Sequence, residues 1–107
     1  MIKEIPNFNY IKEISNGDIE FEKKIISILK EELPLEINEF YKNFKKKKYL
    51  EASKNVHKLK HKISLFGLIE AHNLASDFEK ELKKEKATLF ADFNDVIKKI
   101  SKFVENL

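Results

Sequence analysis

The chain has 107 residues, which leaves room for one domain, and its 42% hydrophobic and 36% charged residues exclude a disordered tail. Cysteine is absent, which excludes disulfide bridges, thiolate nucleophiles and Cys-based zinc sites. The 21 basic residues are interleaved with 18 acidic ones, and the net charge of +3 is a weaker field than a nucleic-acid binder normally carries.

Composition also indicates the fold class. The chain contains only two glycines and two prolines, too few for the repeated tight turns of an all-β fold, so an all-α fold is predicted. No apolar run approaches the roughly 20 residues that cross a bilayer. The first residues lack the apolar segment of a signal peptide, so we expect a cytoplasmic protein without a membrane partner.

The first predicted element is a short helix over about residues 9–15. It ends at Asn16-Gly17, a dipeptide suited to a turn with positive φ. Asp18 follows as the predicted N-cap of a long helix over about residues 18–45, in which early acidic residues complement the helix dipole. Apolar residues recur in this helix at three- and four-residue spacing and predict a buried face: Ile25, Leu29, Leu33, Ile37, Phe40 and Phe44.

Two features interrupt this pattern. Pro34 removes a hydrogen bond and clashes with the preceding turn, so it is expected to kink the long helix or divide it in two. The lysine run Lys45–Lys48 is predicted to be a solvated helix end or connection, with a binding role as the alternative. The next helix, over about residues 49–66, ends at Gly67 as its C′ residue and has an apolar stripe: Ala52, Val56, Leu59, Ile63 and Phe66.

Two further amphipathic helices are predicted over about residues 68–84 and 88–106, the second with Thr88 as its N-cap. Their stripes are Ala71, Ala75, Phe78 and Leu82, then Phe93, Val96, Ile97, Ile100, Phe103, Val104 and Leu107. Four amphipathic helices with short connections predict an antiparallel four-helix bundle with a short extra N-terminal helix, in a single domain over residues 1–107. Because Met1 is initiator-like, a free-standing protein is expected.

One polar strip stands beside the apolar stripe of the helix over residues 49–66. Residues three, four and seven apart share a helix face, which places His57, Lys60, His61 and Ser64 together. The strip is expected to face solvent. An exposed imidazole can act as a base, a nucleophile or a metal ligand, so His57 is a candidate for chemistry.

Metal binding is one candidate, because His57 and His61 have the i, i+4 spacing that lets two imidazoles reach one ion. The sequence has no Glu beside the first His, as the metalloprotease helix motif requires, and no third ligand except His72 or a carboxylate. The pair alone is weak evidence, so no metal site is predicted. His61 and His72 are then interpreted as surface or helix-packing residues.

The residues around His57 fit a role as a phosphoryl carrier better than they fit hydrolysis or kinase chemistry. A Ser-His-Asp hydrolase would need a nucleophile elbow and a concave pocket, and a kinase would need a Gly-rich phosphate loop, none of which the sequence indicates. A phosphoryl group on an imidazole carries about two negative charges. Lys60 can offset them, with further lysines in range: Lys58, Lys62 and Lys83.

Three segments and one turn carry a family resemblance. The segments are His57-Lys-Leu-Lys60, then Leu65-Phe-Gly67-Leu at a turn between helices, then Leu74-Ala-Ser-Asp-Phe-Glu79 in the next helix, and the turn is Asn16-Gly17-Asp18. With this pattern the chain resembles the histidine-containing phosphotransfer (HPt) domains of multistep two-component phosphorelays. The resemblance covers nearly the whole chain.

The resemblance implies that His57 accepts a phosphoryl group through its Nε2 atom and that Lys60 helps to stabilise it. It also implies that Glu79 and Lys83 lie near the site on the neighbouring helix, with a plain i, i+4 pair between them as the alternative. The departure is His61, which stands where the family usually has a Gly or another small residue. It is expected either to lean away or to add a donor to the phosphoryl group.

The resemblance implies a phosphocarrier that shuttles a phosphoryl group between aspartates of receiver domains, in response regulators and hybrid histidine kinases. Such a protein needs no cofactor of its own, since the Mg²⁺ belongs to the receiver, and is expected to act as a monomer. Leu68 and Ile69, or the first short helix, would form the docking patch. The alternatives are a catalytically silent adaptor for a receiver or kinase, and a small basic nucleic-acid binder using Lys45–Lys48.

Overall fold

A computed structural model of the chain describes residues 3–107, and its regular structure over that range consists of five α-helices without a strand. Met1, the expected start of a free-standing protein, lies outside the described residues. The helices are α1 (Asn9–Ser15), α2 (Ile19–Lys45), α3 (Tyr49–Leu65), α4 (Ile69–Lys83) and α5 (Phe90–Glu105). The prediction of an all-α fold is therefore confirmed.

The helices pack around one shared hydrophobic cluster. Helix α1 contacts α2, helix α2 contacts both α3 and α5, and helix α4 contacts both α3 and α5. Four fully buried aromatic rings contribute to the core: Phe40, Phe66, Phe78 and Phe93. The predicted stripes line this core, except that Leu107 is exposed because it lies beyond the end of α5. No helix within residues 3–107 combines the length and apolar character needed to cross a membrane.

The predicted start of α2 is confirmed. Asn16 and Gly17 both have positive φ, +48° and +86°, so the backbone reverses between α1 and α2 as the dipeptide predicts. Asp18 is the N-cap of α2, and its Oδ1 atom accepts a hydrogen bond of 3.0 Å from the backbone N–H of Phe21.

Of the two expectations for Pro34, a kink or a division of the helix, the division is wrong, and so is the prediction of Thr88 as an N-cap. Helix α2 continues through Pro34 as one element, because the flanking residues Leu33 and Ile37 are buried and hold both halves against the core. Thr88 is not the N-cap of α5, since its hydroxyl group donates a hydrogen bond to the Glu81 carboxylate on α4. The Oε1 atom of Glu81 also accepts from the Leu89 N–H at 2.8 Å. A side chain from another helix thus replaces the local cap.

The segment before α1 fixes the turn between α3 and α4. The two carboxylate oxygens of Glu4 accept hydrogen bonds of 2.9 Å from the backbone N–H groups of Glu70 and Ala71, at the start of α4. The Asn7 N–H donates to the Phe66 carbonyl at 3.0 Å. Gly67 is the C′ residue of α3 with φ +76°, and these contacts hold the α3–α4 pair that carries the candidate site.

Candidate functional site

His57 lies on α3 at the border between the buried stripe and solvent. Its neighbour Val56 is fully buried, whereas 51% of the His57 side chain is exposed. Its Nδ1 atom lies 3.1 Å from Oε1 and 3.2 Å from Oε2 of Glu79, a residue of α4. The ring therefore has one nitrogen fixed against the neighbouring helix.

Glu79 is the centre of the site. Only 12% of its side chain is exposed, and besides His57 it binds two ammonium groups. Lys60 of α3 donates to Oε1 at 3.1 Å, and Lys83 of α4 donates to Oε2 at 3.4 Å. Glu79 and Lys83 therefore form the i, i+4 pair considered from the sequence, and Glu79 also contacts the candidate acceptor.

The protonation of Glu79 decides which tautomer His57 adopts. Burial alone would raise the pKa of Glu79, but hydrogen bonds from His57 and Lys60, together with the charges of both groups, hold the pKa below its usual range. An ionised carboxylate only accepts hydrogen bonds, so the Nδ1 atom of His57 must carry the proton that it donates. In the neutral ring, the lone pair then resides on Nε2.

His61 lies directly beside that lone pair. Its Nε2 atom is 3.4 Å from the Nε2 atom of His57, and the two rings meet edge to face with their centres 4.9 Å apart. His61 is exposed and belongs to the next turn of α3. The His61 ring therefore does not lean away from His57, which was one of the two orientations expected from the sequence.

The prediction that the whole polar strip faces solvent was wrong for Lys60, and Ser64 is half-buried. Only 16% of the Lys60 side chain is exposed, because α4 covers it and its ammonium group reaches Glu79. The Ser64 hydroxyl donates to the Lys60 carbonyl at 3.3 Å, so it is turned toward its own helix backbone. His57 and His61 are the exposed members of the strip.

The lysines around His57 separate into two groups. Lys58 and Lys83 line a shallow groove of about 410 Å³ that also contains His57 and Glu79. Lys62, predicted to be in range, instead binds Glu36 at 2.6 Å and Glu32 at 3.1 Å, both in α2. Burial would lower the pKa of Lys62, but hydrogen bonds and charges from the two glutamates raise it above its usual value.

The expected docking patch also needs correction. Leu68 is only 1% exposed and belongs to the core, so it cannot bind a partner. Ile69 is 73% exposed, and Tyr10 of α1 is exposed near it. These two residues line a groove of about 360 Å³ together with Ser64 and His72.

Two other features considered from the sequence are a metal site and the lysine run Lys45–Lys48. Within the described range 3–107, no group of three or more His, Asp or Glu side chains could hold a metal ion. Lys45–Lys48 connects α2 to α3 as an exposed run, as predicted for a solvated helix end.

Residue patterns alone did not identify the contact between Glu79 and His57. The sequence assigns Glu79 to the site only through the family resemblance, with a plain i, i+4 pair with Lys83 as the alternative. A signal was present, because Glu79 follows the buried Phe78 and precedes the buried Leu82 by three positions. A carboxylate at the edge of a buried stripe requires a partner from the neighbouring helix.

Comparison of the chain with models of known protein families, with curated proteins and with solved structures finds no match.

Proposed function

We propose that this chain is a histidine phosphotransfer protein that carries a phosphoryl group on Nε2 of His57 between receiver-domain aspartates. The observation that supports this best is the contact between His57 Nδ1 and the Glu79 carboxylate, which leaves a lone pair on Nε2 of a half-exposed imidazole. The orientation is that of a nucleophile held by a carboxylate on its far side.

The proposed transfer conserves atoms and charge without an added base. The Nε2 lone pair of His57 attacks the phosphorus of an aspartyl phosphate, and the bond between phosphorus and the aspartate oxygen breaks. The aspartate leaves as a carboxylate, while His57 keeps its Nδ1 proton and becomes a phosphorylated imidazolium. Glu79 accepts a hydrogen bond from that Nδ1–H and stabilises the positive charge that develops on the ring.

The lysines would act in two ways in this proposal. Lys60 is bound to Glu79, so it supports the carboxylate and adds positive potential beneath the imidazole. Lys58 and Lys83 line the groove that contains His57, where their ammonium groups would offset phosphoryl charge. His61 has to rotate away from Nε2 before a phosphoryl group can bind there.

The partners would be receiver domains of response regulators and hybrid histidine kinases. We propose that the five helices form an antiparallel four-helix bundle with α1 as an extra N-terminal helix, a rigid support for docking. The receiver would supply its aspartate and Mg²⁺, and Ile69 and Tyr10 would give a small apolar contact suited to a transient complex. The protein would act as a cytoplasmic monomer without a cofactor of its own.

One observation favours a second candidate, the catalytically silent adaptor. His61 contacts the nitrogen that would have to accept the phosphoryl group. An adaptor of this kind would bind a receiver or kinase through the same surface without a covalent step. Receiver binding without label transfer would support this candidate.

The test is phosphoryl transfer from receiver domains that have been phosphorylated with radiolabelled acetyl phosphate. The proposal predicts an acid-labile, base-stable label on the wild-type chain and on the Glu39→Gln control, whose change lies on the exposed face of α2, but none on His57→Gln. A label that persists in His57→Gln, or failure to label the wild-type chain across a panel of active receivers, would contradict the proposal.

A further inference from the structure

The pair His57 and His61 has a geometry that phosphoryl transfer does not require. Their Nε2 atoms, on successive turns of one helix, lie 3.4 Å apart, and both rings reach solvent. The 3.4 Å separation lies at the long limit for an N–H to N hydrogen bond, and the ring centres are 4.9 Å apart with the planes at 89°.

The distance matches that between two ligands of one metal ion. A tetrahedral Zn²⁺ binds imidazole nitrogens at about 2.0–2.1 Å, which places two such nitrogens about 3.4 Å apart. The observed Nε2 to Nε2 distance of 3.4 Å therefore needs little rearrangement to chelate an ion. Neutral imidazole suits Zn²⁺ and neighbouring transition metals better than Mg²⁺ or Ca²⁺.

The hydrogen bond with Glu79 also suits His57 to binding a metal ion. A metal-binding His typically donates its other ring N–H to a carboxylate, which fixes the tautomer and increases the basicity of the ligand. The hydrogen bond between His57 Nδ1 and Glu79 supplies that arrangement. The same carboxylate also binds the ammonium groups of Lys60 and Lys83, so binding of a cation depends on the imidazole nitrogens and not on the charge of the site.

We propose that His57 and His61 form a binding site for a transition-metal ion of the Zn²⁺ class, and that the bound ion blocks phosphorylation of His57. The regulatory half of this inference rests on the proposed function, whereas metal binding does not. Within residues 3–107 no third protein ligand completes the site, so water fills the remaining positions. Such a chelate is reversible, as a regulatory site requires.

Binding is tested by titrating ZnCl₂ into the untagged, unphosphorylated full chain, using calorimetry and long-range ¹H–¹⁵N spectra of the imidazoles. Saturable binding of one ion is expected, with shifts at Nε2 of His57 and His61 and none at His72. Mutation of a residue that only hydrogen-bonds to a metal ligand typically weakens metal binding roughly 10–100-fold. His61→Gln removes a ligand itself, so it should weaken Zn²⁺ binding at least as much. The matched His72→Gln variant should bind like the wild type.

Equal affinity for Zn²⁺ in the wild type and in His61→Gln would overturn the proposed site, as would the absence of saturable Zn²⁺ binding.

Regulation is tested by measuring the phosphoryl-transfer rate with and without Zn²⁺ in each variant. If Zn²⁺ slows transfer in the wild type and in His72→Gln but not in His61→Gln, the result supports the block. If Zn²⁺ changes the rate by the same factor in all three proteins, the result overturns it. If no chain is ever phosphorylated, the proposed function fails while the binding result stands.

Discussion

The Nδ1 atom of His57 lies 3.1 Å from Oε1 of Glu79, so an exposed imidazole on α3 is held by a buried carboxylate on α4. The contact joins the two helices and selects the tautomer that places the lone pair of the neutral ring on Nε2. Lys60 binds the same carboxylate, and the hydrogen bonds from His57 and Lys60 together hold its pKa below the usual range. One residue of α4 thus determines the chemical state of the candidate acceptor.

Glu79→Gln should slow phosphorylation of His57. The amide can donate as well as accept, so it no longer enforces the Nδ1–H tautomer, and it carries no charge to stabilise the imidazolium. We expect the initial transfer rate from a phosphorylated receiver to fall by roughly 10–100-fold, the usual cost of losing such a partner. Glu39→Gln makes the same change on the exposed face of α2 and should leave the rate unchanged. Equal rates in both variants would exclude this role for Glu79.

The same carboxylate should make stability depend on pH in the acidic range. Because the pKa of Glu79 is lower in the folded chain, its contribution is fully present above the ordinary pKa of 4.5 that it has when unfolded. That contribution is lost as pH falls through the folded value. In urea unfolding at pH 7, Glu79→Gln should cost about 1–3 kcal/mol, because Lys60 loses its buried partner. The difference from wild type should shrink toward pH 3, and a constant difference would refute the assignment.

Gly67→Ala should destabilise the chain more than Gly17→Ala. Both glycines have positive φ, so both substitutions carry a backbone cost of about 1–2 kcal/mol. A Cβ atom at Gly67 would also lie 3.0 Å from Oδ1 of Asn7, whereas nothing lies within 4 Å of a Cβ at Gly17. Thermal unfolding should rank the variants in this order, and Asn7→Ala should reduce the extra cost. Equal costs at both glycines would argue against the Asn7 contact.

Glu4→Ala should loosen the start of α4. Its carboxylate accepts hydrogen bonds from the Glu70 and Ala71 N–H groups, and the N-cap residue Leu68 supplies no side-chain cap of its own. Loss of a cap costs about 1 kcal/mol. Hydrogen exchange should accelerate at the amides of Glu70 and Ala71 but not in the middle of α2. Unchanged exchange at these two amides would contradict the contact.

Sequence periodicity predicted the helices because their buried faces are dictated locally. The stripe on α3 from Ala52 to Phe66 is buried throughout, and the turn at Asn16-Gly17 follows from positive φ. Pro34 did not end α2, because tertiary burial on both sides outweighs one missing hydrogen bond. Such compensation depends on the other helices and is not written in the local pattern.

The candidate site was predictable in part. Spacing on one helix brought His57 and His61 together, and the structure places them in contact. It did not predict that Lys60 would be covered by α4, nor that Lys62 would bind α2, since both contacts depend on how helices pack. The contacts of long charged side chains are set by the neighbouring helix more than by their own periodicity.

The central claim is that Nε2 of His57 is the phosphoryl acceptor. The most direct test phosphorylates the full chain from a labelled receiver and locates the phosphorus by ³¹P and long-range ¹H–¹⁵N spectra. The account predicts one phosphohistidine, at His57, with phosphorus on Nε2 and the Nδ1 proton retained toward Glu79. Phosphorus on Nδ1 of His57, or on His61 or His72, would contradict it.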